Sequence, residues 1–402
     1  MIDYLKISTK DFDHRSLFRH PLLSFKGVTD LENSEIEPNK YGSKKYFSDF
    51  QDLKFIVHEN VSEKFTLCIE GSIHKFYNNG VHNFNDFTYS NTVEVIDRLG
   101  SLFTLNMDSC RINLIEIGVN IMPPAKTETV LKGPLSHRNK RFKSISYDNA
   151  EYFQVMHDNF IIKVYDKAKQ YRVKGYTIPN EILRVELKYR KMEALIDLLN
   201  SKGIIDRDYI VLSDLRNLDA LSAFGELLVR KWNEILFYDY TISKTNLSKY
   251  QQRKLDVWQN INQWGSFSKQ KKSKQKSLLQ EITLNHSKQL QLQVSNLIQE
   301  KLEALLQIGL SIYRFENNKK DDLLITFGIQ KGLPSDHFEY TKKDDLLTTY
   351  NMEEEKRKGL PFDSIVYGSN GHLFKKLFPD EKEGSIIPNY KEFHNDIREI
   401  PF

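Results

Sequence analysis

The alternation of hydrophobic and polar residues changes character about half-way along the chain. Up to about residue 195, short apolar runs of β type are separated by Asn, Gly, Asp and Pro, and the clearest are KFIVHEN, KFTLCIEGSIHKF, RINLIEIGVNI, FIIKVYDK and ILRVELKYR. One amphipathic segment, residues 92–103, predicts a helix that Ser90 or Asn91 would cap. This pattern predicts an α+β domain whose strands pair mainly antiparallel.

Beyond residue 190 the apolar residues recur at helical spacing. They predict helices at residues 192–199, 218–237, 246–262 and 276–308. The last stretch is rich in Lys, Asp, Glu, Gly and Pro and has only short apolar islands, which is typical of a weakly packed or partner-dependent tail. The chain is therefore predicted to have three regions: a β-rich domain at residues 1–195, a helical region at 196–315 and a polar C-terminal segment at 316–402.

The composition is that of a globular protein without a membrane anchor. The 402 residues are 40% apolar with a mean hydropathy of −0.53, which is enough material for two or three domains. The chain has no apolar run of about eighteen residues, and its amino end, MIDYLKISTKDFDHR, has acids where a signal peptide would be apolar. We therefore expect a cytoplasmic protein with no membrane partner, in which Cys68 and Cys110 are free thiols in the core.

Positive charge is concentrated in two stretches, although the net charge is only +4. Residues 132–143 contain five Lys or Arg and no acid, and residues 251–280 contain seven against one acid. In the second stretch Trp258, Trp264 and Phe267 lie among the bases. This combination suits single-stranded nucleic acid, although a helix packed on a core would use the same aromatic residues. The candidates for DNA contact in the two stretches are Arg138, Arg141, Trp258, Trp264, Lys271 and Lys272.

Two β-type segments carry polar groups that a purely structural strand would not need. The segment FIIKVYDK ends with Tyr165 and Lys167, and the segment ILRVELKYR alternates apolar residues with polar ones that include Arg184 and Glu186. A tyrosine hydroxyl can act as a covalent nucleophile, and a nearby lysine or bound cation would stabilise the phenolate and the attacked phosphate. The pattern favours DNA nicking, and an ordinary amphipathic strand is the alternative.

Two further segments offer ligands for a phosphate or a metal ion. Residues 71–87 concentrate polar side chains around Gly-Ser and Asn-Gly, although such residues are also typical of plain turns. On the strand RINLIEIGVNI, Glu116 and Asn120 share a face, and a lone acid among apolar residues is costly to bury without a cation. Oxygen ligands of this kind suit Mg²⁺ or Mn²⁺. The candidates in the first segment are His74, Lys75, His82 and Asn83.

Taken in chain order, four blocks of this sequence resemble those of rolling-circle replication initiators of phages and plasmids. The blocks are GSIHKF…HNFNDF, RINLIEIGVNI, IIKVYDKAKQ and ILRVELKYRK. The likeness is greatest to the initiators of Bacteroidetes phages and plasmids and more distant to those of filamentous phages and staphylococcal plasmids, and it covers about residues 1–240. It implies a nuclease-like sheet domain that is a site-specific endonuclease and strand transferase. In such enzymes a tyrosine attacks one origin phosphodiester, keeps the 5′-phosphate and leaves a 3′-hydroxyl for a polymerase.

The resemblance also assigns roles to single residues. Tyr165 would be the nucleophile and Lys167 its electrostatic helper, while Glu116, Glu186 and His74 would hold the divalent metal ion. The paired histidines of the best-known nicking superfamily are absent, because the acidic strand offers Glu116 and Asn120 at that spacing. Origin or single-stranded DNA, host replication proteins and a second copy of the chain are the partners that this function implies. Independently of the resemblance, the polar side chains of Lys75, His82, Asn83 and Arg184 are further candidates for DNA contact.

Two other classes of protein fit the same sequence. A non-catalytic initiator or repressor would bind a specific duplex through the helical region and use the sheet as a scaffold. An interaction protein would use the helix at 276–308 for self-association. A metal-dependent covalent adduct with single-stranded DNA would distinguish the nicking enzyme from both.

Overall fold

The two hydrophobic periods of the sequence correspond to the strands and helices of the computed structural model, which describes residues 1–27, 43–147 and 150–317. The strands are β1 (Ile2–Thr9), β2 (Lys26–Gly27), β3 (Lys44–Phe50), β4 (Leu53–Glu59), β5 (Phe65–Ser72), β6 (Arg111–Ile121), β7 (Pro134–His137), β8 (Lys140–Arg141), β9 (Lys143–Tyr147), β10 (Ala150–Met156), β11 (Phe160–Asp166), β12 (Leu183–Tyr189) and β13 (Ile235–Phe237). The helices are α1 (His14–Phe18), α2 (Ile73–Tyr77), α3 (Tyr89–Phe103), α4 (Thr127–Leu131), α5 (Lys167–Val173), α6 (Glu193–Ser201), α7 (Leu218–Asn233), α8 (Lys249–Trp258), α9 (Ile261–Ser266), α10 (Lys269–His286) and α11 (Leu290–Asn317), with a 3₁₀ helix at Leu212–Arg216.

Ten of the strands form one sheet, in the order β2-β3-β4-β5-β1-β6-β12-β11-β10-β9. All of its neighbouring strands pair antiparallel. Strands β13, β7 and β8 form a small second sheet. The prediction of an α+β fold with mainly antiparallel strands is confirmed.

The large sheet has one apolar and one polar face at its centre. Helices α7 and α11 contact strand β6, and α11 also contacts α3. In β12 the residues Leu183, Val185 and Leu187 are fully buried in the core that these helices share with the sheet. Arg184 and Glu186, which alternate with them, point to the opposite face, because successive side chains of a strand point to opposite faces. The polar face is where the candidate site lies.

Helices α8, α9 and α10 surround a second, smaller core together with β7 and β13. Its members include Leu135, Leu236, Trp258 and Leu279. Helices α7 and α11, in contrast, belong to the core of the large sheet. The boundary predicted near residue 195 stays a prediction, and the predicted tail at 316–402 lies outside the described residues except for the last two residues of α11.

Several predicted helix boundaries were wrong. Helix α3 begins at Tyr89 and is capped by Thr88, whose side chain accepts a hydrogen bond from the Asn91 amide while Asn91 bonds back to Thr88. The helix predicted at 218–237 ends at Asn233, because the apolar residues that follow it pair with β7 as a strand. The helix predicted at 246–262 is two helices, α8 and α9, and Asn260 caps the second.

The helix predicted at 276–308 is also two helices, α10 and α11. Ser287 ends α10 with extended backbone angles, and Gln289 has a positive φ of 55°. The leucine spacing continues across this break without Gly or Pro, so the hydrophobic period alone did not reveal it.

No helix in the described part of the chain is both long enough and apolar enough to span a membrane. Cys68 is half-buried, Cys110 is buried, and both are free thiols.

Candidate active site

The polar face of the sheet brings together three carboxylates from three strands. Asp3 of β1, Glu116 of β6 and Glu186 of β12 are all buried, and one oxygen of each lies within 4.8 Å of the others. No other group of three His, Cys, Asp or Glu ligands within residues 1–27, 43–147 and 150–317 is arranged in this way. We call these three residues the acidic triad.

Asp3 joins the triad because of an irregularity in β1. Ile2 pairs with Ile117 and Leu5 with Ile115, so that two residues of β1, Asp3 and Tyr4, lie opposite the single residue Glu116. This is the geometry of a β-bulge, which re-aims a side chain that simple alternation would send to the other face. The sequence analysis missed Asp3 because it predicted no strand at residues 2–9, and regular alternation there would in any case have grouped Asp3 with Leu5.

Glu116 and Glu186 share a face because of the register of β6 and β12. Glu186 lies directly opposite Gly118, and Glu116 lies opposite Lys188. A β-carbon at position 118 would lie 2.9 Å from Cγ of Glu186, so glycine is what gives the Glu186 side chain its space.

Each acid of the triad already has a cationic partner. Lys163 of β11 approaches Glu116 at 3.2 Å and Glu186 at 3.5 Å. Arg184 contacts Asp3 at 2.8 Å and Glu186 at 2.6 Å. Arg184 was predicted to contact DNA, but its side chain is buried and its guanidinium is used within the triad. Lys163 was not predicted from the sequence, because a single lysine in an apolar strand does not by itself indicate a functional site.

The two glutamates have different protonation behaviour. Burial, together with the negative charge of Glu186, raises the pKa of Glu116 above its ordinary value. Burial also opposes ionisation of Glu186, but Arg184 and Lys163 outweigh it and lower the pKa of Glu186 to about 2. Environments that separate the pKa values of neighbouring acids are typical of sites with acid and base roles.

Tyr165 lies beside the triad. Its hydroxyl donates a hydrogen bond to Glu186 at 2.8 Å, and the Lys167 ammonium lies 3.3 Å from the same oxygen. Burial and the charge of Glu186 raise the pKa of Tyr165 well above 10. Burial and the charge of Arg184 lower the pKa of Lys167 to about 8. The structure therefore brings together four of the residues predicted from the sequence: Tyr165, Lys167, Glu116 and Glu186.

These residues line an open cleft of about 570 Å³. Its lysines are Lys75, Lys163, Lys167 and Lys174. Tyr165 itself is only 3% exposed, because the ring of Tyr152 from β10 lies over it with the ring centroids 4.6 Å apart. The Tyr152 hydroxyl accepts a hydrogen bond from Gln170 at 2.6 Å. A cleft with lysines around an acidic floor suits a ligand that combines a phosphate with a cation.

His74 does not belong to the triad, in contrast to the prediction. Its ring stacks on Phe87, and its Nε2 bonds to the Asn85 side chain at 2.7 Å. Burial lowers the pKa of His74 to about 3. The bulge at Asp3 supplies the third carboxylate where the sequence predicted an imidazole.

The other predicted contacts of residues 71–87 have different positions. Lys75 lies at the cleft in an ion pair with Asp52 at 2.9 Å. Asn83 is buried and donates both of its amide contacts to Asp3, so it orients the triad. His82 stacks on Phe84 at the edge of a small aromatic cluster.

The tryptophans of the basic stretch are buried. Trp258 is 0% exposed and Trp264 is 3% exposed, and both indole N–H groups have hydrogen-bond partners within this part of the fold. The core of α8, α9 and α10 uses both rings, which is the alternative that the sequence left open, and their contact with DNA stays a prediction.

The structure joins the two basic stretches that the sequence showed separately. The tight turn Arg138-Asn139 between β7 and β8 has positive φ at both residues, as in a two-residue hairpin. Arg141 of this hairpin bonds to Asn262 of α9, and Lys272 of α10 bonds to the Asn139 side chain at 3.3 Å. Arg138, in contrast, pairs with Glu234.

Comparison with known proteins gives no relative: no family model matches the chain, and a search of curated proteins finds no match.

Proposed function

We propose that this protein nicks DNA by attack of Tyr165 on a phosphodiester and acts as a rolling-circle type replication initiator. The observation that supports the proposal best is the position of the Tyr165 hydroxyl, between the Glu186 carboxylate at 2.8 Å and the Lys167 ammonium at 3.3 Å, in a cleft that also contains the acidic triad. A nucleophile with a base and a cation in contact is the arrangement that covalent catalysis needs.

In the proposed step the phenolic oxygen of Tyr165 forms a bond to phosphorus and the bond from phosphorus to the 3′-oxygen breaks. The phosphate stays on the tyrosine as a 5′-phosphotyrosine, and the 3′-oxygen takes up a proton to become a hydroxyl. One ester replaces another, so the reverse reaction rejoins the strand.

Glu186 accepts the proton of Tyr165 in this scheme. Because the pKa of Glu186 is about 2 and that of Tyr165 is well above 10, proton transfer in the free protein is strongly unfavourable. The transfer must therefore accompany formation of the bond to phosphorus. The ammonium of Lys167 stabilises the negative charge of the phenolate as it develops.

The donor set of the triad fits a divalent cation. Three carboxylates with no sulfur or nitrogen ligand suit Mg²⁺ or Mn²⁺. Two oxygens bound at ~2.1 Å to one ion lie at most about 4.2 Å apart, and the three carboxylate oxygens, all within 4.8 Å of one another, come close to this spacing. Asp3, Glu116 and Glu186 would hold the ion, which would supply Lewis-acid stabilisation of the phosphate. In the structure the Lys163 ammonium lies between Glu116 and Glu186.

A phosphate can reach the Tyr165 hydroxyl only if the Tyr152 ring moves aside. Tyr152 belongs to β10, which with β9 forms the edge of the sheet. In the proposal the DNA strand displaces the Tyr152 ring when it enters the cleft, and the phosphate then reaches the hydroxyl.

The test is a denaturing gel with labelled single-stranded oligonucleotides that tile the origin of the genetic element encoding this chain, with Mn²⁺ present. The parent protein should give a covalent adduct, Tyr165→Phe should give none, and Tyr176→Phe, a tyrosine outside the cleft lining, should behave like the parent. If Tyr165→Phe still forms the adduct, the nucleophile is another residue. Binding without any adduct in the parent would instead identify a non-catalytic initiator or repressor.

A further inference from the structure

The N-terminal half of α10 is a mostly exposed helical segment. Its first ten residues, 269–278, have no buried side chain, and the residues that anchor the helix, Leu279 and Ile282, lie in its second half. At 1.5 Å per residue this polar segment is roughly 15 Å long. Within it Lys272, Gln275 and Leu278 contact the β7–β8 hairpin, α8 and the second core, and the rest of its surface is available to another molecule.

The charge of this segment identifies the kind of partner. The segment contains Lys269, Lys271, Lys272, Lys274 and Lys276. No acid in the described part of the chain forms an ion pair with any of them. Several of these lysines are three or four residues apart, a spacing at which like charges destabilise a helix. An anionic partner would remove this repulsion.

The hairpin of β7 and β8 extends the same surface. Asn139, Arg141, Lys272 and Lys276 line one small concavity between the hairpin and α10. Arg141 is exposed, and like the lysines it has no carboxylate partner among the residues that the structure describes. The cations thus come from two segments that are more than a hundred residues apart and are held at fixed positions by hydrogen bonds.

We propose that α8, α9 and α10 with the β7–β8 hairpin form a module that binds double-stranded DNA, with the first half of α10 in the major groove. The major groove is about 12 Å wide and accepts a helix, while lysines and an arginine at its edges contact phosphates. Helix α9 and helix α10 are separated by only two residues, and Arg141 of the hairpin bonds to Asn262 of α9, so the three elements lie together.

The burial of Trp258 and Trp264 favours duplex over single-stranded DNA as the ligand of α10. Binding of a single strand relies on exposed rings on which bases stack. Trp258 and Trp264 are buried, and Lys271 lies over the Phe267 ring at 4.8 Å. What residues 269–277 of α10 expose is charge together with Ser and Gln side chains such as Gln270, which suit phosphates and base edges. This module is separate from the cleft of Tyr165, and the inference rests on the proposed function only for the origin of the DNA.

The experiment measures binding without chemistry. Full-length Tyr165→Phe protein in EDTA is titrated into a labelled 30-base-pair duplex of mixed sequence and, separately, into a labelled thirty-nucleotide oligo-dT strand, at several salt concentrations. The test variant adds Arg141→Gln, Lys272→Gln and Lys276→Gln. The control variant adds Lys45→Gln, Lys54→Gln and Lys64→Gln, an equal change of charge on exposed lysines of β3, β4 and the turn after β4.

We expect the duplex to bind more tightly than oligo-dT. In the test variant the slope of log K against log salt should fall by up to ~0.9 for each phosphate that the protein no longer neutralises, whereas the control variant keeps the slope of the parent. Equal weakening in both variants, or tighter binding of oligo-dT, would overturn the proposal. If the test variant is misfolded by circular dichroism, Lys271→Gln with Lys274→Gln replaces it, because neither side chain donates a hydrogen bond to the described protein. These binding measurements do not depend on covalent chemistry. They would remain valid even if the parent protein formed no adduct through Tyr165.

Discussion

The hydroxyl of Tyr165 on β11 donates a 2.8 Å hydrogen bond to the carboxylate of Glu186 on the neighbouring strand β12. Tyr165 lies directly opposite Arg184, and Glu186 is two residues further along, so the bond runs diagonally between adjacent strands. Arg184 bonds to the same Glu186 oxygen at 2.6 Å. The charge of Arg184 keeps Glu186 ionised and therefore able to accept the proton of the tyrosine.

Replacing Arg184 by Met should destabilise the protein strongly. Asp3 and Glu186 would lose their shared cation while remaining buried, and such a loss typically lowers the free energy of unfolding by about 3–5 kcal/mol. Urea denaturation at pH 7 measures this, with Arg19→Met as a control on an exposed arginine that should change the value by less than about 0.5 kcal/mol.

The pH dependence of the Arg184→Met variant has a defined sign. In the parent, Arg184 lowers the pKa of Asp3 and of Glu186 against the effect of burial. Without Arg184 both pKa values rise, so the buried acids become neutral as the pH falls. The difference in free energy of unfolding between the parent and the variant should therefore shrink between pH 7 and pH 5. If this difference in free energy of unfolding is the same at pH 7 and pH 5, the lost stability is not electrostatic.

Gly118→Ala should disturb the site more than the fold. The new β-carbon would lie 2.9 Å from Cγ of Glu186 and 2.9 Å from the Val185 carbonyl oxygen, so the Glu186 side chain must shift from the position in which it accepts the bond from Tyr165. We expect the rate of adduct formation to fall on the order of 10²-fold, because catalysis depends on positions within about 1 Å. Crowding should lower the free energy of unfolding by about 1–3 kcal/mol. Gly100→Ala in α3 is the matched control, since its β-carbon meets no atom closer than 3.4 Å. A normal rate in Gly118→Ala would argue against Glu186 as the base.

Lys163→Met should raise the affinity for Mn²⁺. The ammonium lies between Glu116 and Glu186 and competes with a divalent ion for the same oxygens, and methionine keeps the unbranched stem without the charge. We expect binding to become tighter by about tenfold or more, measured by calorimetric titration without DNA. Glu116→Ala and Glu186→Ala should each weaken it. If both alanine variants bind like the parent, the acidic triad is not the metal site.

His137 should make the protein less stable in mild acid. Its side chain is fully buried between His157 at 2.9 Å and Glu234 at 2.9 Å, and burial lowers its pKa to about 4. The unfolded chain, with a histidine pKa of about 6.5, binds a proton that the folded chain excludes, so stability falls as the pH decreases from 6.5 to 4, by up to about 3 kcal/mol. His74 contributes in the same range, and the relevant measurement is therefore the difference between the parent and His137→Gln in urea denaturation at each pH. Parallel curves for the two proteins would contradict the prediction.

The sequence was sufficient for those features that depend on local alternation. In ILRVELKYR the apolar and polar residues alternate without interruption, and β12 indeed buries Leu183, Val185 and Leu187 on one face while Arg184 and Glu186 point to the other. The same reasoning placed Glu116 and Asn120 together on one face of β6. A strand has a fixed period of two, so a regular pattern determines which side chains share a face even when the neighbouring strands are unknown.

Only the tertiary structure decided which of these polar residues meet. Asp3 joined the acidic triad through a β-bulge in β1, a strand that the sequence analysis did not predict, and a bulge breaks the period of two of a regular strand. Lys163 contacts Glu116 because the strand order places β11, β12 and β6 side by side, and strand order depends on pairing between distant segments. Trp258 and Trp264 could have faced either DNA or a core, and the apolar residues of β7, β13 and α10 completed a core around them. Burial of a large ring is decided by the surfaces that surround it, and those surfaces come from parts of the chain that local sequence does not connect.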